Sequence, residues 1–323
     1  MKVISVDIGG TKIASAVVTL GEDGTCSVEH VGKVPTCAME GGPVVLERVI
    51  AQVRARLADA GGDEIAGIAI SSAGAIDPVT GDVVSANGKM PDWGGIRLGA
   101  EVSSATGLPC RVLNDVHAHA LGEARRGAGK NRASSIVVGI GTGVGGAFVD
   151  GDRIMLGRHM EAGHIGHVHC AEAAGMPCDC GATGHMECVA SGTAITESYI
   201  RFGGDATFER DGETVPMDGA EINRRALELG DEHAIAAQQL AGHALGSVVA
   251  GVCSMLDPDC VILSGSVINC GHYWHDAVAE GFARTAMEPL RDIPILLASL
   301  GDNAPLIGAA EHFMSPAYRE LLA

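Results

Sequence analysis

Short apolar runs separated by glycine-rich turns dominate the chain, and their spacing switches repeatedly between strand and helix periods. Residues 3–7 form a β-rich run, and residues 11–20 alternate well enough to be its partner strand. Residues 43–60 carry a helical pattern stopped by Gly61-Gly62, and 65–70 is a buried strand by its apolar run. A hairpin signal sits at Thr80-Gly81-Asp82, followed by a polar loop through Asn87 to Trp93. Residues 110–113 read as a short strand, 116–126 as a helix and 133–140 as another strand. After that come a strand, an Asp-Gly turn and a strand over 147–154. A turn-rich surface excursion is expected over 201–218, one Ala-rich helix over 219–256, strands over 260–264 and 293–299, and a closing helix over 304–313. The alternation of strand and helix periods predicts an α/β protein.

Composition narrows the class. A chain of 323 residues has room for two domains with their own cores. The expected division is 1–115 plus about 305–323 as a smaller α/β domain, and 116–304 as a larger one. An aromatic share of 3% leaves little for base stacking, and a net charge of −18 repels phosphate backbones, so nucleic-acid binding is not expected. That charge does not exclude ATP, which a few backbone amides and one Mg²⁺ can hold locally. The start of the chain lacks a signal-peptide layout and no long uninterrupted apolar run stands out, so a cytoplasmic protein with reduced or metal-bound thiols and no membrane partner is expected.

Two glycine-rich turns carry candidate phosphate chemistry. Asp7-Ile8-Gly9-Gly10-Thr11-Lys12 lies between two strands, where glycine lets main-chain amides approach an anion; Asp7 could hold Mg²⁺ through water. An acidic residue followed by Gly-Gly-Thr resembles the first phosphate motif of the actin/hexokinase-like ATPase fold, and no Walker loop is present. The second turn, 139–146, satisfies G-x-G-x-x-G at Gly141, Gly143 and Gly146. A dinucleotide fingerprint needs a helix opening there, whereas the residues that follow read as a hairpin, so Thr142 and Gly143 are expected to meet the β- and γ-phosphates instead.

Asn114-Asp115 ends the 110–113 strand where a helix begins. Either residue could cap that helix. A carboxylate at this place is expected to stay ionised beside the helix amides and to accept the proton of a hydroxyl attacking phosphorus. His117 and His119, two apart on the helix, point to different faces and are not expected to share a ligand.

The stretch 160–193 concentrates Cys170, Cys178, Cys180 and Cys188 with His164, His167, His169 and His185 among glycines. His167, Cys178, Cys180 and His185 make a candidate zinc set, with His169, Cys170 and Cys188 as rivals. Free cysteines filling a core are a weaker explanation, because Asp179, Gly181 and Gly184 indicate a loop.

The segments E-A-G-H-I-G-H (161–167) and C-D-C-G-A-T-G-H-M-E (178–187) resemble the signature of the ROK family of sugar kinases. D-I-G-G-T-K at 7–12, N-D at 114–115 and G-T-G-V-G-G at 141–146 fall in the family's order along the whole chain. The resemblance implies a two-domain actin/hexokinase-like ATPase fold with an interdomain cleft and a zinc-stapled loop. It places the catalytic base on Asp115, zinc ligands on His167, Cys178 and Cys180, and a sugar-binding glutamate on Glu187. Asn87 and Asn114 are further sugar candidates, and Gly265, in the turn Gly265-Ser266-Val267, falls on the adenosine side. His185 stands where the family has a third cysteine, and His164 where most members have a sugar-binding glutamate. The resulting G-H-I-G-H is similar to that of bacterial N-acetylmannosamine kinases.

The implied activity is ATP- and Mg²⁺-dependent phosphorylation of a hexose 6-hydroxyl, with N-acetyl-D-mannosamine as the leading substrate and glucose, N-acetylglucosamine or fructose as alternatives. Members often pair into homodimers. A sugar-responsive transcription regulator would need a DNA-binding segment ahead of Asp7, and none is expected from this sequence.

Overall fold

The computed structural model describes residues 1–86 and 88–316. Internal contacts divide the chain into two units. The first holds Met1–Ser135, Ala147–Ala162 and the described residues from Ala298 onward; the second holds Ile136–Gly146 and Gly163–Leu297.

In the first unit, β1 (Lys2–Ile8) runs antiparallel to β2 (Lys12–Leu20), which pairs with β3 (Cys26–Pro35). On the other side β1 lies parallel to β4 (Ile65–Ser72). The small hairpin β5 (Ala75–Ile76) and β6 (Val83–Ser85) brackets the expected Thr80-Gly81-Asp82 turn. β7 (Cys110–Asn114) completes the order β3-β2-β1-β4-β7. Strand alternation divides the faces of β1. Ile4, Val6 and Ile8 join the cluster that buries Val45, Val49 and Val53 of α1 (Gly42–Asp59), whereas Val3 joins Leu306, Ile307 and Ala310 of the closing helix Ala304–Met314. Ser5, on that second face, donates its hydroxyl to the Leu306 carbonyl at 2.7 Å.

α2 (Leu98–Thr106) and β3 carry no expectation from the sequence. β3 is an exposed strand whose polar residues, Glu29, His30 and Lys33 among them, hide its period. α3 (Asp115–Arg126) packs on the closing helix. A side chain on Gly122 or Gly308 would collide with the backbone at Ala304 or Ala118 respectively, so the two helices touch main chain to main chain. That packing, with the buried Glu123 carboxylate accepting the Ser299 amide at 3.0 Å and the Leu300 amide at 2.7 Å, keeps α3 in the first unit. The contact boundary therefore runs at Ser135, where the sequence reading divides the chain at 115.

The second sheet takes the order β10-β9-β8-β13-β14. β8 (Ser134–Ile140) turns directly into β9 (Val144–Asp150), and an Asp-Gly turn leads to β10 (Arg153–Ile154). α4 (Glu187–Ala190) and α5 (Gly192–Arg201) follow. The expected excursion over 201–218 contains a two-stranded hairpin, β11 (Thr207–Arg210) and β12 (Glu213–Pro216).

The single helix expected over 219–256 is broken. α6 (Gly219–Arg224) passes through a π turn at Arg225–Leu229, and the chain restarts as α7 (Glu232–Leu256). Gly230 takes a left-handed φ of 64°, and Asp231 caps α7 by accepting from the His233 and Ala234 amides. By length and composition α7 could cross a membrane, a property hidden in its Ala-rich sequence. It packs instead along α8 (His272–Thr285), a helix the sequence reading omits. Gly242 and Gly246 let α8 approach: Cβ atoms there would meet the Trp274 and Val278 carbonyls. β13 (Cys260–Ser264) and β14 (Ile295–Leu297) are parallel, the latter shorter than the expected 293–299.

Candidate active site

The strand end at Asn114 resolves which residue caps α3. Asn114 has an extended backbone, and its side-chain oxygen accepts the Val116 amide at 3.0 Å and the His117 amide at 3.2 Å. Its Nδ2 donates to the Gly74 carbonyl at 2.9 Å and to Asp115 Oδ1 at 3.0 Å. Asn114 is the N-cap and Asp115 the first helical residue. Asp115 Oδ1 also accepts the Val116 amide at 2.9 Å.

Burial nevertheless outweighs these donors. It pushes the Asp115 carboxyl up to about 6, with the negative charge of Asp7 adding to the rise and the Val116 amide opposing it. Desolvation is a larger effect on this group than the helix-start amides considered from the sequence. A carboxyl near 6 is still mainly ionised at neutral pH and is a stronger base than an exposed aspartate. His117 Nε2 bonds the Ala162 carbonyl at 2.9 Å, so it has a structural partner in the first unit.

Asp7 lies at the end of β1, one residue before the strand's limit at Ile8. Its Oδ1 accepts the Ser71 hydroxyl at 2.7 Å, and burial raises its carboxyl above the usual range. The turn after it is closed by the Gly9 amide on the Lys12 carbonyl at 3.0 Å. Thr36 anchors it from β3's end: its hydroxyl bonds the Gly9 carbonyl at 2.6 Å, and its amide the Thr11 carbonyl at 3.0 Å. A Cβ on Gly10 would meet nothing within 4 Å, so the tip is open to a ligand. Lys12 Nζ and Lys33 Nζ each lie 2.9 Å from Asp302 Oδ2, and these two ammonium groups hold the Asp302 carboxyl down at about 2. In this structure Lys12 is engaged by a carboxylate that the sequence reading missed, although Gly301-Asp302-Asn303 before the closing helix was available as a polar turn signal.

In the second unit the 139–146 stretch is a β-hairpin, with the Gly141 amide on the Gly143 carbonyl at 2.9 Å, and no helix opens at it. This disposes of the dinucleotide reading. Beside the turn lies a cavity of about 690 Å³ lined by Gly141, Thr142, Gly192, Thr193, Asn223 and Val267 among others. Gly265 sits at the end of β13 with φ 91°, and a Cβ there would collide with the backbone of Ile140. Only glycine allows that approach.

Glu187, assigned from sequence to the sugar, has one oxygen already engaged: Oε2 accepts the Val144 amide of the hairpin at 2.7 Å. His164 precedes a short 3-10 turn at Ile165–His167, and its ring stacks on that of His167 with centroids 5.9 Å apart. Asn87 lies outside the described residues.

His167, Cys178, Cys180 and His185 converge, with their ligand atoms all within 4.8 Å of one another. His167 Nδ1 and His185 Nδ1 are 3.2 Å apart; Cys180 Sγ is 3.3 Å from His185 Nδ1, and Cys178 Sγ 3.7 Å from His167 Nδ1. A tetrahedral ion with N bonds of about 2.0–2.1 Å and S bonds of about 2.3 Å has ligand–ligand edges of about 3.3–3.8 Å, so the donor set fits such an ion. Of the rivals, Cys188 Sγ bonds the Pro177 carbonyl at 3.3 Å, and His169 pairs with His185 through a backbone bridge; with Cys170, they fall outside the converging group.

Each unit thus carries a Gly-rich hairpin at a strand end, and the first also carries, at the start of α3, a carboxylate raised toward neutrality. The sequence model of the ROK family matches residues 3–315. The chain belongs to the ROK family and is a sugar kinase of that family. It is 31% identical to a glucokinase of Streptomyces coelicolor over 97% of this chain and 98% of that one. It is 30% identical to an N-acetylmannosamine kinase of Escherichia coli O157:H7 over 96% and 97%. Among solved structures, it superposes on a ROK hexokinase of Thermus thermophilus with a TM-score of 0.83, 29% identity and 97% coverage of both chains. A Streptomyces griseus ROK glucokinase solved with glucose and AMPPNP gives 0.74 at 29% identity, covering 96% and 98%.

Proposed function

We propose that the chain transfers the γ-phosphoryl group of ATP to the 6-hydroxyl of N-acetyl-D-mannosamine. Asp115 carries the reading: Asn114 takes over the capping bonds, and burial leaves Asp115 a carboxylate of raised basicity. As the 6-oxygen attacks the γ-phosphorus, its proton passes to Asp115, the bond to the β-phosphate oxygen breaks, and ADP leaves. Asp7 would hold Mg²⁺, which neutralises phosphate charge when bound; the turns 9–12 and 141–143, with Gly265, would receive the nucleotide. Asn114, His164, Glu187 and Asn87 would orient the sugar. Zinc at His167, Cys178, Cys180 and His185 would stiffen the loop that presents His164, whose ring lies on that of His167.

Substrate choice rests on His164. An imidazole in place of a carboxylate offers one donor or acceptor where two acceptor oxygens stood, which changes the hydroxyl pattern that can be read. A second reading, glucose, is favoured by the similarity to glucokinases. An ADP-release assay across N-acetylmannosamine, N-acetylglucosamine, glucose, mannose and fructose tests both. The highest kcat/KM is expected with N-acetylmannosamine; a preference for glucose would replace that substrate, and turnover of none would overturn the hexose reading.

A further inference from the structure

The segment carrying Glu187 grips the second hairpin at successive positions. The Gly192 amide bonds the Gly141 carbonyl at 2.7 Å, and the Thr193 hydroxyl bonds the Thr142 carbonyl at 3.1 Å. The Val144 amide donates to Glu187 Oε2 at 2.7 Å. A Cβ on Gly143 would stand 2.6 Å from that same oxygen, so the absent side chain is what lets the carboxylate lie against the turn. A carboxylate has two oxygens and about four acceptor positions, and the amide occupies one of them.

We propose that Glu187 couples the two substrates: one oxygen fixes the phosphate turn while the other accepts from the hexose. The inference rests on the kinase reading above. A hydroxyl bound at the second oxygen restrains the side chain and thereby orders the Val144 contact at the first. Hexose binding then tightens nucleotide binding, and linkage requires the nucleotide to tighten hexose binding by the same factor.

Calorimetric titration of the full chain with Mg-AMPPNP in the absence of any sugar tests the contact on which this coupling depends. In a repeat titration, saturating N-acetyl-D-mannosamine is expected to tighten AMPPNP binding in the wild type; unchanged affinity with the sugar overturns the inference. A residue that serves only the sugar leaves nucleotide affinity unchanged when no sugar is present. Glu187→Ala is expected to weaken AMPPNP about tenfold, the size of one charge-assisted hydrogen bond. Glu187→Gln, whose amide oxygen still accepts from Val144, is expected to stay within about threefold of the wild type. Gly143→Ala pushes the carboxylate off the turn and is expected to weaken AMPPNP in the wild-type background but to add little to Glu187→Ala. Wild-type affinity in Glu187→Ala overturns the inference alone, as does full additivity of the two substitutions. A wild-type chain that binds no AMPPNP overturns the kinase reading and the inference with it.

Discussion

At the scale of single residues, the division of labour between Asn114 and Asp115 matters most. Sequence placed both at a strand end before a helix but could not say which would cap, because each has a side-chain oxygen suited to the task. The structure separates them through Gly74, whose carbonyl holds Asn114 Nδ2 and so fixes which way the amide oxygen faces. Burial then sets the basicity of Asp115, and burial is a property of the fold that no local spacing encodes. A carboxyl raised from 3.8 to about 6 on folding favours the protonated native state, so its stabilising effect is full below pH 3.8 and is lost as pH rises through 6. Asp115→Asn removes that loss. It is expected to raise Tm relative to the wild type at pH 8, with the gain vanishing near pH 4; differential scanning calorimetry at the two pH values checks it. An equal shift at both would contradict the assignment.

Elements show where periodicity suffices and where it fails. β1, β2 and α1 were legible because each has a single apolar face or run; β3 and α8 were not, since polar residues or aromatic and histidine positions interrupt their patterns. The long helix was overextended because Gly230 resembles the tolerated glycines of α7, and its left-handed φ emerges only in the fold. The contact between α3 and the closing helix depends on Gly308, where a Cβ would collide with the Ala118 carbonyl. Gly308→Ala is expected to destabilise the chain by about 1–3 kcal/mol, the usual cost of overpacking, as read by urea unfolding. A neutral substitution would mean that the two helices can separate cheaply. The loop 163–188 makes the complementary case: its cysteine and histidine types were legible, and convergence of four ligand atoms supplies the geometry. Elemental analysis is expected to find about one zinc per chain, and chelator treatment to lower Tm. Less than half an equivalent after purification without chelator would count against zinc.

For the whole molecule, the order of motifs along the chain was more informative than any one of them. A lone G-x-G-x-x-G suggests a dinucleotide; the same glycines between β8 and β9, in a chain that also carries D-I-G-G-T-K and N-D, belong to a phosphotransferase of the ROK family. Relatives named for glucose and for N-acetylmannosamine are almost equally similar, so overall identity does not rank the sugars and His164 has to. The base proposed, Asp115, would serve every substrate considered. The pH dependence of kcat/KM for hexose phosphorylation, measured by ADP release in the wild type and in Asp115→Asn, therefore tests the account most directly. The wild type is expected to lose activity about tenfold per pH unit below an apparent pKa near 6, and Asp115→Asn to turn over at least ~10²-fold more slowly with that acid limb gone. Near-normal turnover in Asp115→Asn, or the same acid limb in both proteins, would contradict it.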